Sequence, residues 1–319
     1  MKRIIDMINK HRSFLIASHV RLDGDALGSE LALYQMLSNM GKKVTVYNQD
    51  ETPGNYRFLP GSDKIIHKLP PLEKYDVAFI LDCSEFDRIG DEASRVGSMQ
   101  RIINIDHHVS NRNFGNMALI DQNASSTAEL LYRLMLKMDA DITKDIATNL
   151  YAAIITDTGG FCYGTTKKDT LIAAGNLVGK GADPQWISEN VYESNPLSKI
   201  RLLTKVLETL AFDWDRKVGY MVVYRKDLNG VGALVEYTEG FVDIPRSIQG
   251  VEVSILFTEL SEYQFKLSLR SKGKVNVERV ARAFGGGGHI NAAACQIDGD
   301  FKTVLQRVLG AVADLSSNP

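Results

Sequence analysis

Ligand-type side chains crowd into two short stretches, Ser18-His19-Val20-Arg21-Leu22-Asp23-Gly24-Asp25 and Ile105-Asp106-His107-His108. Carboxylates packed beside imidazoles repel one another and are driven toward protonation unless a cation sits among them. Two further acids each close an apolar run, Asp82 after Asp76-Val77-Ala78-Phe79-Ile80-Leu81 and Asp157 after Ala152-Ala153-Ile154-Ile155-Thr156, so four element ends could aim ligands at one point. Carboxylate and imidazole without thiolate favour Mn²⁺ or a similar divalent ion over structural zinc. So many ligands are too many for one open ion. Shared between two ions about 3.5–4 Å apart, with one carboxylate bridging, they leave room for a bridging hydroxide and for phosphate oxygens. The predicted chemistry is hydrolysis of a phosphate ester. Within Asp23-Gly24-Asp25, an extended loop would point alternate acids the same way, one per ion, with the glycine allowing a tight turn.

The elements that must hold these residues follow from the pattern of apolar runs. Phe14 to Ser18, Val44 to Tyr47, Val77 to Leu81 and Ile102 to Ile105 read as strands, and Ala26 to Met40 reads as a helix. That alternation implies an α/β fold, a mostly parallel sheet flanked by helices, with ligands beyond the carboxyl ends of its strands. Ser126-x-x-Glu129 has capping-box spacing ahead of Leu130, Leu131, Leu134 and Met135, which read as core. Helical pattern continues through Ile146 to Ile155, Leu171 to Val178 and Ile187 to Tyr192. After Glu193-Ser194-Asn195-Pro196 and the helix Leu197 to Leu210, shorter β-like runs begin: Tyr220 to Tyr224, Val251 to Phe257 and Gln264 to Leu269. A helix over Val277 to Ala283 follows the N-cap Asn276. The expected organisation is a first domain over 1–192, a linker helix over 193–212 and a smaller α/β domain over 213–319, with a cleft between the domains.

At 319 residues, two domains are the default. A formal net charge of −2 lacks the basic excess of proteins that hold long nucleic acid. No apolar run approaches the roughly 20 residues needed to cross a bilayer, and Asp6 interrupts the start too early for a signal peptide, so a cytoplasmic protein without membrane contact is expected. The three cysteines are an odd number spread along the chain, which suits reduced thiols, and Cys83 and Cys162 read as small buried residues.

The ordered set His19, Asp23-Gly24-Asp25, Asp82, Asp106-His107-His108 and Asp157 resembles the DHH phosphoesterase superfamily, named for its Asp-His-His motif. The similarity extends to the far end, where Ser268-Leu269-Arg270-Ser271, Val275 to Phe284 and Gly285-Gly286-Gly287-Gly288-His289 resemble the DHH-associated C-terminal domain that supplies substrate binding. Length suits the stand-alone members that resemble bacterial oligoribonucleases, the nanoRNases. The resemblance implies His19 and Asp23 on one ion, Asp25 and His107 on the other, Asp82 bridging and Asp157 completing the pair. His108, free of metal, would then face the substrate as an electrostatic or acid catalyst, with Asp106 orienting an imidazole.

The second domain offers its own candidates. Gly286, Gly287 and Gly288 could present backbone amides to a phosphate, and His289 could donate beside them. Arg270 could clamp a terminal phosphate, with Ser271 beside it as a further substrate-binding residue, and Arg246 could do the same work. Arg88 and Arg112 follow the motifs closely enough to reach the site. After the glycine–histidine segment, family members often continue with small residues ending in glycine, where this chain reads Asn291-Ala292-Ala293-Ala294.

The resulting expectation is a Mn²⁺-dependent hydrolase of very short RNA that releases 5′-mononucleotides and converts 3′-phosphoadenosine 5′-phosphate to AMP and phosphate. Its partners would be short oligoribonucleotides and small nucleotides, not long nucleic acid. A homodimer through an exposed helix or sheet edge is compatible with the pattern but not demanded by it. The rival within the same chemistry is a phosphodiesterase of cyclic di-AMP or its linear product; the rival outside it is a nucleotide-binding regulator, whose sign would be a missing ligand.

Overall fold

Short apolar runs in the first half of the chain become parallel strands because helices and loops cover both of their faces. In the computed structural model, which describes residues 1–213, 215 and 217–317, the chain divides into two units, Met1–Ser194 and Asn195–Pro319. The first contains strands β1 (Ser13–Ala17), β2 (Lys43–Tyr47), β3 (Ile65–Ile66), β4 (Val77–Leu81), β5 (Ile102–Asp106) and β6 (Met117–Ile120). They form one sheet in the order β3-β2-β1-β4-β5-β6, every pair parallel. The order reverses between β1 and β4, the switch point at which sheets of this kind open a crevice beyond the strand ends.

Its helices are α1 (Lys2–Lys10), α2 (Gly24–Asn39), α3 (Ala93–Gly97), α4 (Thr127–Lys137), α5 (Lys144–Asp157), α6 (Lys168–Gly179) and α7 (Pro184–Tyr192). Side chains alternate across the strands. Phe14 and Ile16 of β1 and Val77, Phe79 and Leu81 of β4 share a core with α2, α4 and α5, whereas Leu15, Ala17, Ala78 and Ile80 enter a second core with Val96 of α3. Helices α2 and α5 approach closely because glycine lies at the contact. A Cβ on Gly28 would come 2.4 Å from the Asn149 carbonyl and one on Gly24 2.4 Å from Thr156 Oγ1. This packing carries Asp157, at the end of α5, to the start of α2.

Two expectations are corrected in this unit. The helix over 26–40 begins at Gly24, because the Asp23 side chain accepts the Ala26 N–H and caps it. Asp23 and Asp25 are therefore N-cap and first-turn residues of a helix rather than alternate positions of an extended loop. Gly24 is needed for the approach of Thr156, not for a turn. Cys83 is buried as expected, but Cys162 is exposed, because it lies in the turn after α5 and outside the helical periodicity.

The second unit holds α8 (Leu197–Leu207), β7 (Ala211–Asp213), β8 (Val218–Val223), α9 (Arg225–Val231), α10 (Asp243–Ser247), β9 (Val253–Ser261), β10 (Gln264–Ser271), α11 (Val277–Arg282), β11 (Gly287–His289), β12 (Ala292–Asp298) and α12 (Phe301–Ser317). Its mixed sheet runs β11-β12-β10-β9-β8-β7. One face, including Phe265, Leu267 and Leu269, packs with Val280 of α11 and Val304 and Val308 of α12. Met221, Val223 and Leu256 on the other face pack with Leu202 and Val206 of α8, so the helix read as a linker belongs to this unit's core. The glycine segment is not an open loop: Gly287–His289 pairs with β12 as an edge strand. Among the described residues, no helix is long and apolar enough to cross a membrane.

Candidate active site

Three adjacent strands deliver the site. His19 lies two residues beyond β1, Asp82 directly follows β4, and Asp106 ends β5 with His107 and His108 after it. Asp82 occupies left-handed backbone at φ 54°, sparsely populated by non-glycine residues, and its N–H donates to the Ile105 carbonyl at 3.0 Å. This backbone turn leaves the carboxylate between two groups of imidazoles. Its Oδ2 lies 3.3 Å from His19 Nε2, and its Oδ1 lies 3.7 Å from His107 Nε2.

Asp82 is common to three groups of donors, His19, Asp23 and Asp82, then Asp25, Asp82 and His107, then Asp82, Asp106 and His108, each with ligand atoms within 4.8 Å of one another. Asp157 Oδ2 adds to the second set at 3.1 Å from His107 Nε2. The imidazoles are oriented alike. His19 Nδ1 lies 2.9 Å from the Val20 carbonyl and His107 Nδ1 3.3 Å from the Ala124 carbonyl. A proton on each Nδ1 satisfies these carbonyls and leaves Nε2 as the lone-pair donor facing the acids.

Electrostatics point the same way. Burial, then the neighbouring Asp82, holds the Asp25 and Asp157 carboxyls well above the usual range. Burial works against ionisation of Asp82 as well, but the adjacent imidazoles outweigh it and hold that carboxyl well below its ordinary value. Four acids and two oriented imidazoles thus meet where their own charges cannot all coexist, and the all-oxygen-and-nitrogen donor set fits divalent cations.

His108 Nδ1 lies 3.5 Å from Asp82 Oδ1, but a second carboxylate is nearer. The same nitrogen lies 2.6 Å from Asp106 Oδ1, and Asp106 also accepts the N–H groups of His107 at 2.8 Å and His108 at 3.2 Å. Burial by itself would favour the neutral ring, but the Asp106 carboxylate outweighs it and raises the His108 pKa. Asn111, which sequence reasoning missed, supports the pair: its Nδ2 donates to Asp106 Oδ2 and, at 2.9 Å, to Asn104 Oδ1. The signal available was Asn104 itself, a polar residue inside the apolar run Ile102 to Ile105.

Arg112 is exposed and pairs with Glu85 at 2.9 Å, so it is a surface charge. Arg88 is half-buried, and its carbonyl accepts the Val20 N–H at 2.7 Å, fixing its backbone beside His19.

In the second unit, Arg246 and Arg270 converge on one acid. Arg246 Nη2 lies 3.1 Å and Arg270 Nε 4.0 Å from Asp243 Oδ1, which brings two guanidinium groups together with a single counter-charge. Ser271 is buried, with its hydroxyl 3.2 Å from Asn291 Oδ1 and accepting the Gly273 N–H at 3.3 Å, which braces a turn. Gly286 and Gly288 are dictated by strand β12. A Cβ would fall 2.1 Å from the Ala294 carbonyl at the former and 2.4 Å from the Ala292 carbonyl at the latter. Gly287 and His289 lie on the same edge strand, half-buried.

Comparison with known proteins agrees with this architecture. Residues 13–154 match the DHH family N-terminal domain and residues 220–315 match the DHHA1 domain. The chain is 34% identical over 305 residues to the bifunctional oligoribonuclease and PAP phosphatase NrnA of Thermus thermophilus, covering 94% of this chain and 89% of that protein. It is 25% identical to the Bacillus subtilis protein of the same name, over 92% of each chain. A crystal structure of an exopolyphosphatase-related protein from Bacteroides fragilis superposes with a TM-score of 0.91 at 31% identity, covering 99% of this chain and 97% of that one. The chain therefore belongs to the DHH family of phosphoesterases, in the group whose members carry a DHHA1 domain.

Proposed function

We propose that this protein hydrolyses very short RNA to 5′-mononucleotides and converts 3′-phosphoadenosine 5′-phosphate to AMP and phosphate, using two divalent ions, Mn²⁺ foremost. The observation that carries the reading is the Asp82 carboxylate, one oxygen toward His19 and the other toward His107. The names of the Thermus and Bacillus relatives specify the same pair of substrates.

His19, Asp23 and Asp82 would hold one ion, and Asp25, Asp82, His107 and Asp157 the other. When bound, such ions supply a nucleophile at neutral pH and offset charge on the phosphoryl oxygens. The remaining work falls to the chain. His108, oriented by Asp106, whose carboxylate favours the protonated ring, donates a proton to the departing ribose 3′-oxygen as the P–O3′ bond breaks. The water oxygen ends on phosphorus, so the products are a 5′-phosphate and a free 3′-hydroxyl. In 3′-phosphoadenosine 5′-phosphate the same bond is broken, which releases inorganic phosphate. Arg246 and Arg270, sharing Asp243, bind a substrate phosphate, with Gly286, Gly287, Gly288 and His289 contacting the nucleotide.

The deciding experiment is Mn²⁺-dependent turnover of a matched panel: an RNA dinucleotide, an RNA 24-mer, 3′-phosphoadenosine 5′-phosphate and cyclic di-AMP. Preference for the dinucleotide and 3′-phosphoadenosine 5′-phosphate, abolished by Asp82→Ala, is expected. Preference for cyclic di-AMP or the 24-mer would replace the substrate assignment, and full activity of Asp82→Ala would remove the bridging role.

A further inference from the structure

In sequence terms the capping-box motif Ser126-x-x-Glu129 is a helix start and nothing more. The structure gives it another geometry. Ser126 caps α4 as expected, accepting the Glu129 N–H at 3.1 Å. The Glu129 carboxylate, however, reaches one residue further back, accepting the Ser125 N–H at 3.0 Å and the Ser125 hydroxyl at 2.6 Å. It also accepts the Thr170 hydroxyl of α6 at 2.9 Å and pairs with Arg133, which in turn bonds Asp121 at 3.0 Å. A buried carboxylate with this many donors fixes the turn ahead of α4 in one conformation.

That turn presents Thr127 to the acids. The Thr127 hydroxyl donates to Asp82 Oδ1 at 3.0 Å, while its backbone N–H donates to Asp25 Oδ2 at 2.7 Å. The Ala128 N–H takes the other Asp25 oxygen at 3.0 Å, and the Ser29 hydroxyl donates to it at 3.2 Å. Thr127 thus touches both members of the acid pair that, with His107, forms the second ligand set. It is fully buried, so water cannot substitute for its hydroxyl. It contacts the Asp82 oxygen that faces His107, not the one that faces His19.

We propose that Thr127, braced by Glu129, is a positioning residue that sets the Asp82 carboxylate for the second ion. This rests on the two-ion reading above and assigns to Thr127 no contact with substrate. Removing the hydroxyl lets Asp82 rotate toward His19, so the ion held by Asp25, His107 and Asp157 loses affinity while the ion held by His19 and Asp23 is spared. Supporting groups of this kind are worth about 10–100-fold in metal affinity.

Calorimetric Mn²⁺ titration of the full chain and of Thr127→Val and Thr127→Ser tests this. Valine keeps the shape and the backbone donor to Asp25; serine keeps the hydroxyl. Wild type should bind two ions, Thr127→Val should weaken one of them about 10–100-fold, and Thr127→Ser should stay within a few fold of wild type. At limiting Mn²⁺, turnover of Thr127→Val should fall and recover on raising Mn²⁺, with KM unchanged. In a His19→Ala background Thr127→Val should still weaken the remaining ion, and in a His107→Ala background it should have no further effect. Should Thr127→Val fail to fold, Thr127→Ala and Glu129→Gln ask the same question, and each should weaken the same ion.

Two ions of unchanged affinity in a folded hydroxyl-less variant would overturn the assignment to Thr127 and leave the two-ion reading intact. Equal weakening of both ions would overturn it too, marking Thr127 as merely structural. Fewer than two ions bound by wild type would overturn the two-ion reading and this inference with it.

Discussion

Nδ1 of His108 and Oδ1 of Asp106 stand 2.6 Å apart, within hydrogen-bond distance for an imidazole and a carboxylate. The pair fixes the orientation of the ring. Asp106→Asn removes the anion and lowers the His108 pKa. With protonated His108 as the acid, activity falls as pH rises through that pKa, so the variant should lose activity at lower pH than wild type. A kcat loss of about 10–100-fold with little change in KM is expected from pH–rate profiles. An unshifted alkaline limb would exclude His108 as the acid.

Glu30 gives a separate dependence of stability on pH. Burial pushes its carboxyl from 4.5 to about 8, against a single hydrogen bond at 2.8 Å from Asn48 Nδ2. A folded-state value above the unfolded one means the stabilisation is complete below pH 4.5 and is lost progressively as pH rises to about 8. Each tenfold difference in proton affinity between the folded and unfolded chain is worth about 1.4 kcal/mol. Glu30→Gln should therefore leave Tm unchanged near pH 4 and raise stability by a few kcal/mol near pH 9. Thermal melts across that range check it; a parallel pH dependence in both proteins would contradict the buried, protonated carboxyl.

The α2–α5 contact can be tested by adding one methyl group. Gly28→Ala places a Cβ 2.4 Å from a backbone carbonyl, which side-chain rotation cannot relieve, so a loss of about 1–3 kcal/mol is expected together with lower activity. Gly175→Ala, on α6 with open space around its Cβ, should instead stabilise by about 0.5–1 kcal/mol. Denaturant unfolding of the two variants should move in opposite directions.

Arg270→Ala should raise KM for a phosphorylated dinucleotide far more than for a small generic diester such as bis-p-nitrophenyl phosphate, because only the former carries a second phosphate. Arg246→Ala should act in the same direction, since both guanidinium groups meet Asp243. Equal effects on both substrates would make the cluster a brace for α10 and β10.

Much of this was legible in the chain because β1, β4 and β5 are short apolar runs ending in polar residues, a pattern with few alternatives. Asn276 likewise announced α11, whose Arg279 N–H it accepts at 3.2 Å. What escaped depended on contacts distant in sequence. Asp23-Gly24-Asp25 looks like a turn, since glycine weakens a helix start; only the demand of Thr156 for space explains why glycine stands there. Ala292-Ala293-Ala294 has little strand propensity, and becomes part of β12 because it pairs with β10 on one side while Gly286 and Gly288 let the backbone on the other side come close. Asn111 and Thr127 belong to no ligand motif: each acts through hydrogen bonds to residues distant in sequence or set by the fold, Asn111 to Asp106 and Asn104, Thr127 to Asp82 and Asp25.

The reversal of strand order between β1 and β4 also governs when the site comes into existence during folding. His19 and Asp82 flank that seam, and the complete donor set runs from residue 19 to residue 157, so no local segment contains it. Non-local pairings of this kind close late, after loop entropy has been overcome. Divalent ions would bind only the fully zipped sheet, acting as a clasp on the β1–β4 seam, and chelation should quicken exchange of amide hydrogens along that seam before it affects the far edge at β6.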